Sequence, residues 1–306
     1  MGFESEFIWM NGELVPYEKA NVHFLTPALH YGAAVFEGIR CYKTDNGPAV
    51  FRLHEHIVRL VNSANIFGFR DLPYSVDELT AAVKETIAKN RFEACYIRPL
   101  IYLTNSNLGL NMEGGRAEVG IATWEWGSML GKESLDKGIR ANVSSFTRHH
   151  PNVTMTKAKI SGNYANSIMA KTDSARLGFD EAIMLDPQGY VAECTGENLF
   201  IVRNGTVYTP HAAAVLEGIT RDSLMTLAED LGIPVVECPI GRDQLYIADE
   251  VFMSGTAAEC VPVNEIDLRQ IGDGKAGPVT RAIQGAFLEV IAGRHPRAAG
   301  WLDYVK

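Results

Sequence analysis

Tight-turn signals between apolar runs constrain the fold of this chain more than any other feature of its sequence. The stretch "FIWMNGELV" (7–15) carries Asn11-Gly12 between two apolar runs, and "AAVFEGIRCYKTDNGPAVFRL" (33–53) carries Asp45-Asn46-Gly47 in a similar position. Asn-Gly favours the positive φ angles of a type I′ turn, which matches the twist of paired antiparallel strands. The chain is therefore predicted to begin with two strand pairs.

Helical periodicity follows these strands. A first helix is marked by apolar residues at helical spacing, namely Leu53, Ile57, Leu60, Val61 and Ala64. A second helix is predicted from about Ser75 to Lys89, with Leu79, Val83 and Ile87 facing inward. The runs "ACYIRPLIYLT" and "EVGIATWEW" then predict buried strands. This first part is interpreted as an α+β unit.

A polar stretch bounded by glycines, "GSMLGKESLDKG" (127–138), is the candidate linker. We therefore predict a small N-terminal domain over 1–127, an interdomain loop over 128–138 and a large domain over 139–306. Within the large domain, "EAIMLD", "YVAE", "NLFIVR" and "TVYTP" predict a meander of consecutive strands. Helices are predicted from about Asn163 to Leu177, from Arg221 to Leu231 with Leu224, Leu227, Ala228 and Leu231 on one face, and from Gly277 to Ile291.

Composition excludes several classes of function. The chain has 306 residues, of which 46% are hydrophobic, and a net charge of −9. Such an acidic chain is a poor ligand for nucleic acid or an anionic membrane, and no apolar run approaches the ~20 residues of a membrane span. Acids stand where a signal peptide has its basic region. Five scattered cysteines without CxxC spacing indicate reduced thiols, so we expect a cytoplasmic protein.

Several familiar motifs are missing. No GxGxxG follows a strand, and there is no GxxxxGK[ST], GxSxG or HExxH. His54-Glu55-His56 lies in a predicted helix, where residues i and i+2 do not share a face, and His149-His150 is an adjacent pair in a loop. No metal site is predicted.

Two lysines one residue apart, Lys157 and Lys159, stand in "TKAKISGNY". Most lysines remain in water, so a solvated pair is the default interpretation. Lys159 is followed by Ser161 and Gly162, which are small enough to let a bulky group approach the backbone, and Asn163 is a good helix N-cap. Lys159 is therefore a candidate for a catalytic amine.

Other groups that suit the same chemistry occur downstream. "VAECTGENLFIV" places Glu193 at the end of a strand, either as part of a solvated hairpin or facing a heteroaromatic nitrogen. Ile219-Thr220 open a helix, either as an ordinary helix start or as an anion site, and Thr256 follows the strand "FMSG". Arg59 is off the apolar stripe of its helix, as a surface arginine or a phosphate clamp.

The chain resembles the branched-chain-amino-acid aminotransferases of fold type IV, which use pyridoxal 5′-phosphate. The resemblance covers nearly the whole chain and is carried by the motifs "HYGAAVFEGIR", "YIRPL", "KISGNY", "ECTGENLF", "LEGITRDS", "DEVFMSGTAAE" and "GPVT". It implies an α/β (α+β) two-domain fold, with the cofactor site between a smaller N-terminal and a larger C-terminal domain.

Cofactor-binding residues are implied by the same resemblance. Lys159 matches the Schiff-base lysine, whereas Lys157 does not and is expected to be solvated. Glu193 matches the carboxylate at the pyridine nitrogen, and Tyr164 matches the tyrosine near the phenolic oxygen. The phosphate set matches Arg59, Ile219, Thr220 and Thr256, and Glu197 matches a second acid that supports this network.

The substrate pocket of the family maps onto Phe36, Tyr96, Arg98, Thr256 and Ala257, with Tyr31 and Leu110 contributed by a partner subunit. The resemblance thus implies a homo-oligomer that is at least a dimer. This chain has Met129, in the interdomain loop, where close relatives have an aromatic residue, and Met112 where they often have proline. The implied reaction transfers the amino group of L-leucine, L-isoleucine or L-valine reversibly to 2-oxoglutarate. The sequence does not rank these three amino acids as substrates.

Three alternatives stay open on the sequence. A D-amino-acid or (R)-amine transaminase and an aminodeoxychorismate lyase share the fold, although "HYGAAVFEGIR" and Tyr96-Ile97-Arg98 favour the branched-chain group. A non-catalytic binding protein would keep the scaffold, but the intact Lys159 and Glu193 disfavour it.

Overall fold

The computed structural model describes residues 5–104, 108–126, 135 and 137–305. The chain forms two compact units, each with its own sheet. The first comprises Met1–Trp126, Lys157–Asn163 and Val290–Lys306, and the second comprises Gly127–Thr156 and Tyr164–Glu289. The domain boundaries drawn from the sequence stay a prediction, because most of the proposed loop over 128–138 is outside the described residues.

Strands and helices alternate irregularly along the chain. The strands are β1 (Phe7–Met10), β2 (Glu13–Pro16), β3 (Ala34–Phe36), β4 (Ile39–Thr44), β5 (Gly47–Phe51), β6 (Cys95–Thr104), β7 (Arg116–Trp124), β8 (Ile139–Val143), β9 (Glu181–Leu185), β10 (Val191–Cys194), β11 (Asn198–Arg203), β12 (Thr206–Thr209), β13 (Val235–Glu237), β14 (Glu250–Gly255), β15 (Glu259–Ile266), β16 (Arg269–Gln270) and β17 (Leu302–Tyr304). The helices are α1 (Pro27–Tyr31), α2 (Leu53–Phe67), α3 (Val76–Asn90), α4 (Tyr164–Arg176), α5 (Ile219–Asp230), α6 (Arg242–Tyr246), α7 (Pro278–Ile291) and α8 (Ala298–Trp301).

The described strands of the first unit form one eight-stranded sheet. Its order is β17-β5-β4-β6-β7-β1-β2, with β3 also paired to β6. The first predicted hairpin is confirmed, since Met10 pairs with Glu13 and both turn residues have positive φ, 48° for Asn11 and 98° for Gly12. The second predicted strand pair is confirmed at the β4–β5 turn, but a break before Ile39 makes its first half two strands instead of one.

Both predicted helices of the first unit are confirmed. The α2 helix buries Leu53, Ile57, Leu60 and Ala64 completely. The α3 helix starts with a capping box, in which the Ser75 hydroxyl accepts from the Glu78 N–H and the Glu78 carboxylate accepts from the Ser75 N–H. The buried faces of these helices and of the sheet form one apolar core, to which Ala158 and Ile160 also belong.

The second unit contains a nine-stranded sheet in the order β10-β9-β8-β15-β14-β11-β12-β13, with β16 on β15. The predicted meander is wrong between β10 and β11. Each is half of a hairpin, β9–β10 and β11–β12, but β11 pairs with β14 and β10 lies at the end of the order. The sheet also contains two parallel pairs, β8–β9 and β12–β13, whose connections run through α4 and α5.

The α5 helix buries Leu224, Leu227 and Ala228, as predicted. The inward placement of Leu231 is wrong, because the helix ends at Asp230 and Leu231, its C-cap, is 46% exposed. The strands of the sheet and α6 contribute to a second apolar core. Among the described residues, no helix has the length and apolar character needed to cross a membrane.

Candidate active site

The backbone of Lys159 is fixed at two points of the first unit. Its N–H donates to the Ser63 hydroxyl oxygen at 3.0 Å, and its carbonyl accepts from the Phe36 N–H at 3.0 Å. Ser63 belongs to α2 and Phe36 to β3, and both are buried in the unit. A further bridge joins Val35 to Ile160. The segment that carries the lysine is thus an extra backbone partner of β3.

The side chain of Lys159 contacts the face of an aromatic ring. Its Nζ lies 5.1 Å from the Phe36 ring centroid, within the range of a cation–π contact. Lys157 was expected to be solvated, but it is partly buried, as Lys159 is. Exposure therefore does not distinguish the two lysines.

Two glycines allow the lysine segment to approach the chain after α1. A Cβ built on Gly32 would lie only 2.6 Å from the Gly162 Cα, and Gly32 has a φ of 64°. Any side chain at residue 32 would therefore displace the segment, and the left-handed conformation favours glycine as well. The small residues after Lys159 serve backbone packing at this point.

Arg59 is held by an acid that the sequence analysis did not single out. Its Nε and Nη2 donate to the Glu37 carboxylate at 2.6 and 2.8 Å, and His56 Nδ1 lies 2.8 Å from the same carboxylate. Glu37 is completely buried and the Arg59 side chain is only 14% exposed, so Arg59 is not a surface arginine. A lone acid inside the apolar run "AAVFEGI" was the available signal for Glu37.

Electrostatics keep this buried cluster at a defined charge. Burial by itself would raise the pKa of Glu37, but the charge of Arg59 and the hydrogen bonds from His56 and Arg59 outweigh it and hold the pKa well below its ordinary range. Burial lowers the pKa of His56, against the opposing effect of Glu37. Glu37 is therefore ionised and His56 neutral near pH 7.

The histidine pair on α2 does not form a metal site. His56 faces the buried carboxylate of Glu37, whereas His54 is exposed and Glu55 pairs with Arg52 at 2.7 Å. Within the residues that the structure describes, no group of three or more His, Cys, Asp or Glu side chains is arranged to hold a metal ion.

Three of the predicted substrate residues come together in the first unit. The Arg98 guanidinium carbon lies 4.6 Å from the Phe36 ring centroid and 5.5 Å from that of Tyr96. Trp124 and Trp126, which the sequence analysis did not name, each lie 5.1 Å from the Tyr96 ring. The result is an aromatic cluster around one arginine, and the clustered tryptophans in "TWEW" were the available signal.

The position of the Tyr96 ring explains why residue 38 is a glycine. A Cβ on Gly38 would lie 2.0 Å from the Tyr96 hydroxyl oxygen, so no side chain fits there while the ring keeps its position.

Tyr31 and Leu110, which the resemblance assigns to a neighbouring subunit's pocket, are 51% and 89% exposed. Met129 lies outside the described residues.

Glu193 is the centre of a polar network in the second unit. Its carboxylate accepts from Arg148 Nε at 2.7 Å, from the Leu216 N–H at 3.2 Å and from Asn198 Nδ2 at 3.4 Å. Glu193 is 5% exposed, so a solvated hairpin is the wrong interpretation. The sequence analysis missed Arg148 because it is 45 residues from Glu193. It placed Asn198 in the predicted strand "NLFIVR" without a polar role.

Asn198 links this network to the start of α5. It donates to the Leu216 carbonyl at 3.1 Å, and a Cβ on Gly218 would lie 2.0 Å from its Oδ1. Gly218 is the N-cap of α5 and has no side chain that could cap the helix. Ile219 and Thr220 follow as buried first-turn residues. A helix start of this kind offers backbone N–H groups and a partial positive charge to an anion.

The remaining predicted residues also lie in the second unit. Glu197 is buried, and its carboxylate accepts from the Gly196 N–H at 3.1 Å. Thr256 and Ala257 are partly exposed in the turn after β14, and Tyr164 is the partly exposed first residue of α4. Ser254, at the end of β14, has a buried hydroxyl without a hydrogen-bond partner in the described part of the chain.

Comparisons with known proteins agree on one family. The model of the "Amino-transferase class IV" family matches residues 34–266. The branched-chain-amino-acid aminotransferase of Pseudomonas aeruginosa is 47% identical over 299 residues, which is 98% of this chain and 97% of that protein.

Solved structures extend the likeness to the whole fold. A structure of the T.th. branched-chain amino acid aminotransferase with pyridoxamine 5′-phosphate matches with a TM-score of 0.96 and 49% identity, over 100% of both chains. Another structure of that enzyme, complexed with N-(5′-phosphopyridoxyl)-L-glutamate, matches with a TM-score of 0.95 and 48% identity, again over 100% of both. The resemblance and the fold predicted from the sequence are confirmed, and the chain belongs to the class IV aminotransferase family.

Proposed function

We propose that this chain is a pyridoxal-phosphate-dependent aminotransferase that transfers the amino group of L-leucine, L-isoleucine or L-valine to 2-oxoglutarate, giving the branched 2-oxo acids and L-glutamate. The observation that carries the proposal is the full-length likeness to a branched-chain amino acid aminotransferase whose structure contains pyridoxamine 5′-phosphate. The 47% identity to a second branched-chain enzyme supports the substrate class.

The residues present fit the cofactor. The start of α5, with a glycine at its N-cap, and the buried Ser254 hydroxyl, which has no hydrogen-bond partner among the described residues, suit an anion such as a phosphate group. The carboxylate of Glu193, with three donors converging on it, suits a protonated ring nitrogen. Lys159, fixed through its backbone, supplies an amine.

We assign the cofactor contacts as follows. Arg59, Ile219, Thr220 and Thr256 bind the phosphate group, and Tyr164 binds near the phenolic oxygen. Glu193 holds the proton on the ring nitrogen. Glu197 supports the phosphate-binding residues of the second unit, Ile219, Thr220 and Thr256. When bound, pyridoxal phosphate supplies an electron sink for the charge that forms at the substrate Cα.

Lys159 is the catalytic residue of the proposal. Its amine would hold the cofactor and, when free, would take the Cα proton of the substrate as a general base and return it as a general acid. The backbone bonds to Ser63 and Phe36 limit the movement of the lysine to its side chain, so the amine stays near the atom from which it takes the proton.

Substrate recognition is proposed to combine apolar walls with one cation. Phe36, Tyr96 and Ala257 provide surface for a branched side chain, and Met129 and Thr256 complete the set. Arg98, stacked against Phe36 and Tyr96, is available to the side-chain carboxylate of glutamate or 2-oxoglutarate. Residues of these two kinds suit an apolar amino donor and an acidic acceptor in turn.

A homo-oligomer, at least a dimer, is proposed as the working form, with Tyr31 and Leu110 contributed to the partner's pocket. The support is the exposure of large apolar side chains in the first unit, including Phe24 at 74%, Leu29 at 60% and Leu110 at 89%. Light scattering on the purified protein tests this, and a monomer at micromolar concentration would contradict it.

The cytoplasm is the proposed location, supported by five free thiols.

The first test is the absorption spectrum of the purified protein before and after addition of L-leucine without an oxo acid. We expect a visible band from the bound cofactor that fades with L-leucine and returns with 2-oxoglutarate. A band that persists with L-leucine but fades with D-alanine or (R)-phenylethylamine would move the function to the D-amino-acid or (R)-amine class. Release of pyruvate without an amino acceptor would indicate a lyase.

A further inference from the structure

Glu37 is a fully buried acid that directly follows Phe36, the residue whose N–H binds the Lys159 carbonyl. Its carboxylate accepts from two nitrogens of Arg59, Nε at 2.6 Å and Nη2 at 2.8 Å. Two parallel bonds fix the plane of the guanidinium as well as its distance. Two consecutive residues therefore hold the backbone of the lysine and the side chain of the arginine.

His56 supports the same carboxylate from the helix that carries Arg59. Its Nδ1 lies 2.8 Å from Glu37 Oε2, and the histidine is completely buried. Residues 56 and 59 are three apart on α2, so they share one face of the helix. Glu37 is thus held by two side chains of α2 and cannot turn without breaking bonds to both.

The charge of Glu37 works against anion binding by Arg59. A carboxylate at hydrogen-bond distance offsets part of the arginine's positive charge, which weakens its attraction for a phosphate group. A fixed orientation has the opposite effect, because a side chain that is already ordered loses less freedom when a ligand binds. The bidentate pair uses Nε and Nη2, which form one edge of the guanidinium. If removal of the Glu37 charge strengthens phosphate binding, charge neutralisation dominates. If it weakens phosphate binding, orientation dominates.

We propose that Glu37 is a positioning residue, supported by His56, that fixes the guanidinium of Arg59 for binding the phosphate group of the cofactor. The inference rests on the proposed function and deepens it, since it assigns a role to Glu37 and His56, which the sequence analysis did not place in the site. It also restricts that role to the phosphate group: the ring of the cofactor and its aldehyde carbon are bound by other residues.

The test compares pyridoxal 5′-phosphate with pyridoxal, which lacks the phosphate group. The full-length protein is stripped of cofactor and titrated with each compound, and Kd is measured from absorbance. Glu37→Gln keeps the shape of the side chain and removes its charge. We expect this substitution to weaken the binding of pyridoxal 5′-phosphate by at least about tenfold, the scale seen when a metal ligand loses its supporting partner. The affinity for pyridoxal should stay unchanged.

A matched control and a double-mutant cycle separate positioning from general damage. Glu55→Gln removes an acid of the same helix, which pairs with the N-cap residue Arg52, and it is expected to change neither affinity. Glu37→Gln is then combined with Arg59→Met. If Glu37 acts through Arg59, the first substitution has no further effect once the arginine is gone.

Several results would overturn the inference. Unchanged or tighter binding of pyridoxal 5′-phosphate by Glu37→Gln would mean that charge neutralisation, and not orientation, dominates. An equal loss for both compounds, or the same loss in the Arg59→Met background, would mean a purely structural role. If Glu37→Gln does not fold, Glu37→Asp takes its place, and a phosphate-specific loss is still expected because the shorter side chain cannot keep both bonds.

The outcome also separates this inference from the function on which it rests. If the wild-type protein binds neither compound, the proposed function fails and the inference fails with it. If the wild type binds pyridoxal 5′-phosphate more tightly than pyridoxal and Glu37→Gln keeps that difference, only the positioning role is wrong.

Discussion

The N–H of Phe36 donates to the carbonyl oxygen of Lys159 at 3.0 Å, and the Phe36 ring lies 5.1 Å from the Nζ of the same lysine. One residue of β3 therefore holds both the backbone and the amine of the proposed catalytic lysine. The same ring lies 4.6 Å from the Arg98 guanidinium carbon. Phe36 thus connects the reactive amine to the cation proposed to recognise the acidic substrate.

Replacement of Lys159 by alanine is expected to remove both the visible band and the turnover. We expect L-leucine-dependent formation of glutamate to fall by at least about a thousandfold, the scale seen when a covalent catalytic group is lost. Lys157→Ala is the matched control, because Lys157 is also partly buried but is not the lysine bonded to Ser63 and Phe36. Comparable turnover by the two variants in a coupled assay would show that Lys159 has been assigned the wrong role.

Arg98→Met is expected to separate the two half-reactions. A hydrogen bond to a charged group contributes about 1.5–3 kcal/mol, so kcat/KM for 2-oxoglutarate is expected to fall roughly 10- to 100-fold. The value for L-leucine, whose side chain is apolar, should change little. Arg116→Met on the adjacent strand β7 is the control for a lost surface cation. Single-turnover kinetics with each substrate measure the effect, and equal losses for leucine and 2-oxoglutarate would contradict it.

The turn chemistry and helical periodicity of the first unit are local signals, which explains why the hairpin at Asn11-Gly12 and the helix over 53–67 could be predicted. Glu37 and Arg59 are 22 residues apart, and Glu193 and Arg148 are 45 apart. Nothing in the neighbourhood of an acid in the sequence tells which distant arginine it meets. The wrong meander has the same origin, because the partner of β11 is a strand that follows much later in the chain.

Gly38→Ala is expected to displace the Tyr96 ring. The new methyl group would lie 2.0 Å from the tyrosine hydroxyl oxygen, a distance that forces one of them to move. Overpacking of this kind costs about 1–3 kcal/mol, and we also expect a higher KM for L-leucine because the aromatic cluster changes shape. Tyr96→Phe in the same chain removes the clashing oxygen and should restore part of both values. Thermal unfolding and initial rates of the single and double variants decide the matter, and failure of Tyr96→Phe to restore either value would count against this mechanism.

Acidification is expected to weaken the Glu37–Arg59 pair in a defined pH range. The pKa of Glu37 is held below its ordinary value of 4.5, so its stabilising contribution is complete above that pH and is lost as the pH falls further. The pKa of His56 is lowered from 6.5, chiefly by burial, so protonation of this histidine also favours the unfolded chain below that value. Both groups therefore make the folded protein less stable as the pH falls.

Arg59→Met removes the largest of the effects that oppose burial at Glu37, so in this variant the pKa of Glu37 should rise from its lowered value. Breaking a buried pair by removing one partner costs about 3–5 kcal/mol at neutral pH. Because a protonated Glu37 needs no cation, the difference from wild type should shrink between pH 7 and pH 4. Arg91→Met, which breaks the exposed pair with Glu6, is the control and should cost at most about 1 kcal/mol at either pH. Urea unfolding of the wild type and both variants, each stripped of cofactor, measures their free energies of unfolding. If the difference in this free energy between Arg59→Met and wild type stays constant from pH 7 to pH 4, the buried carboxylate does not titrate as expected.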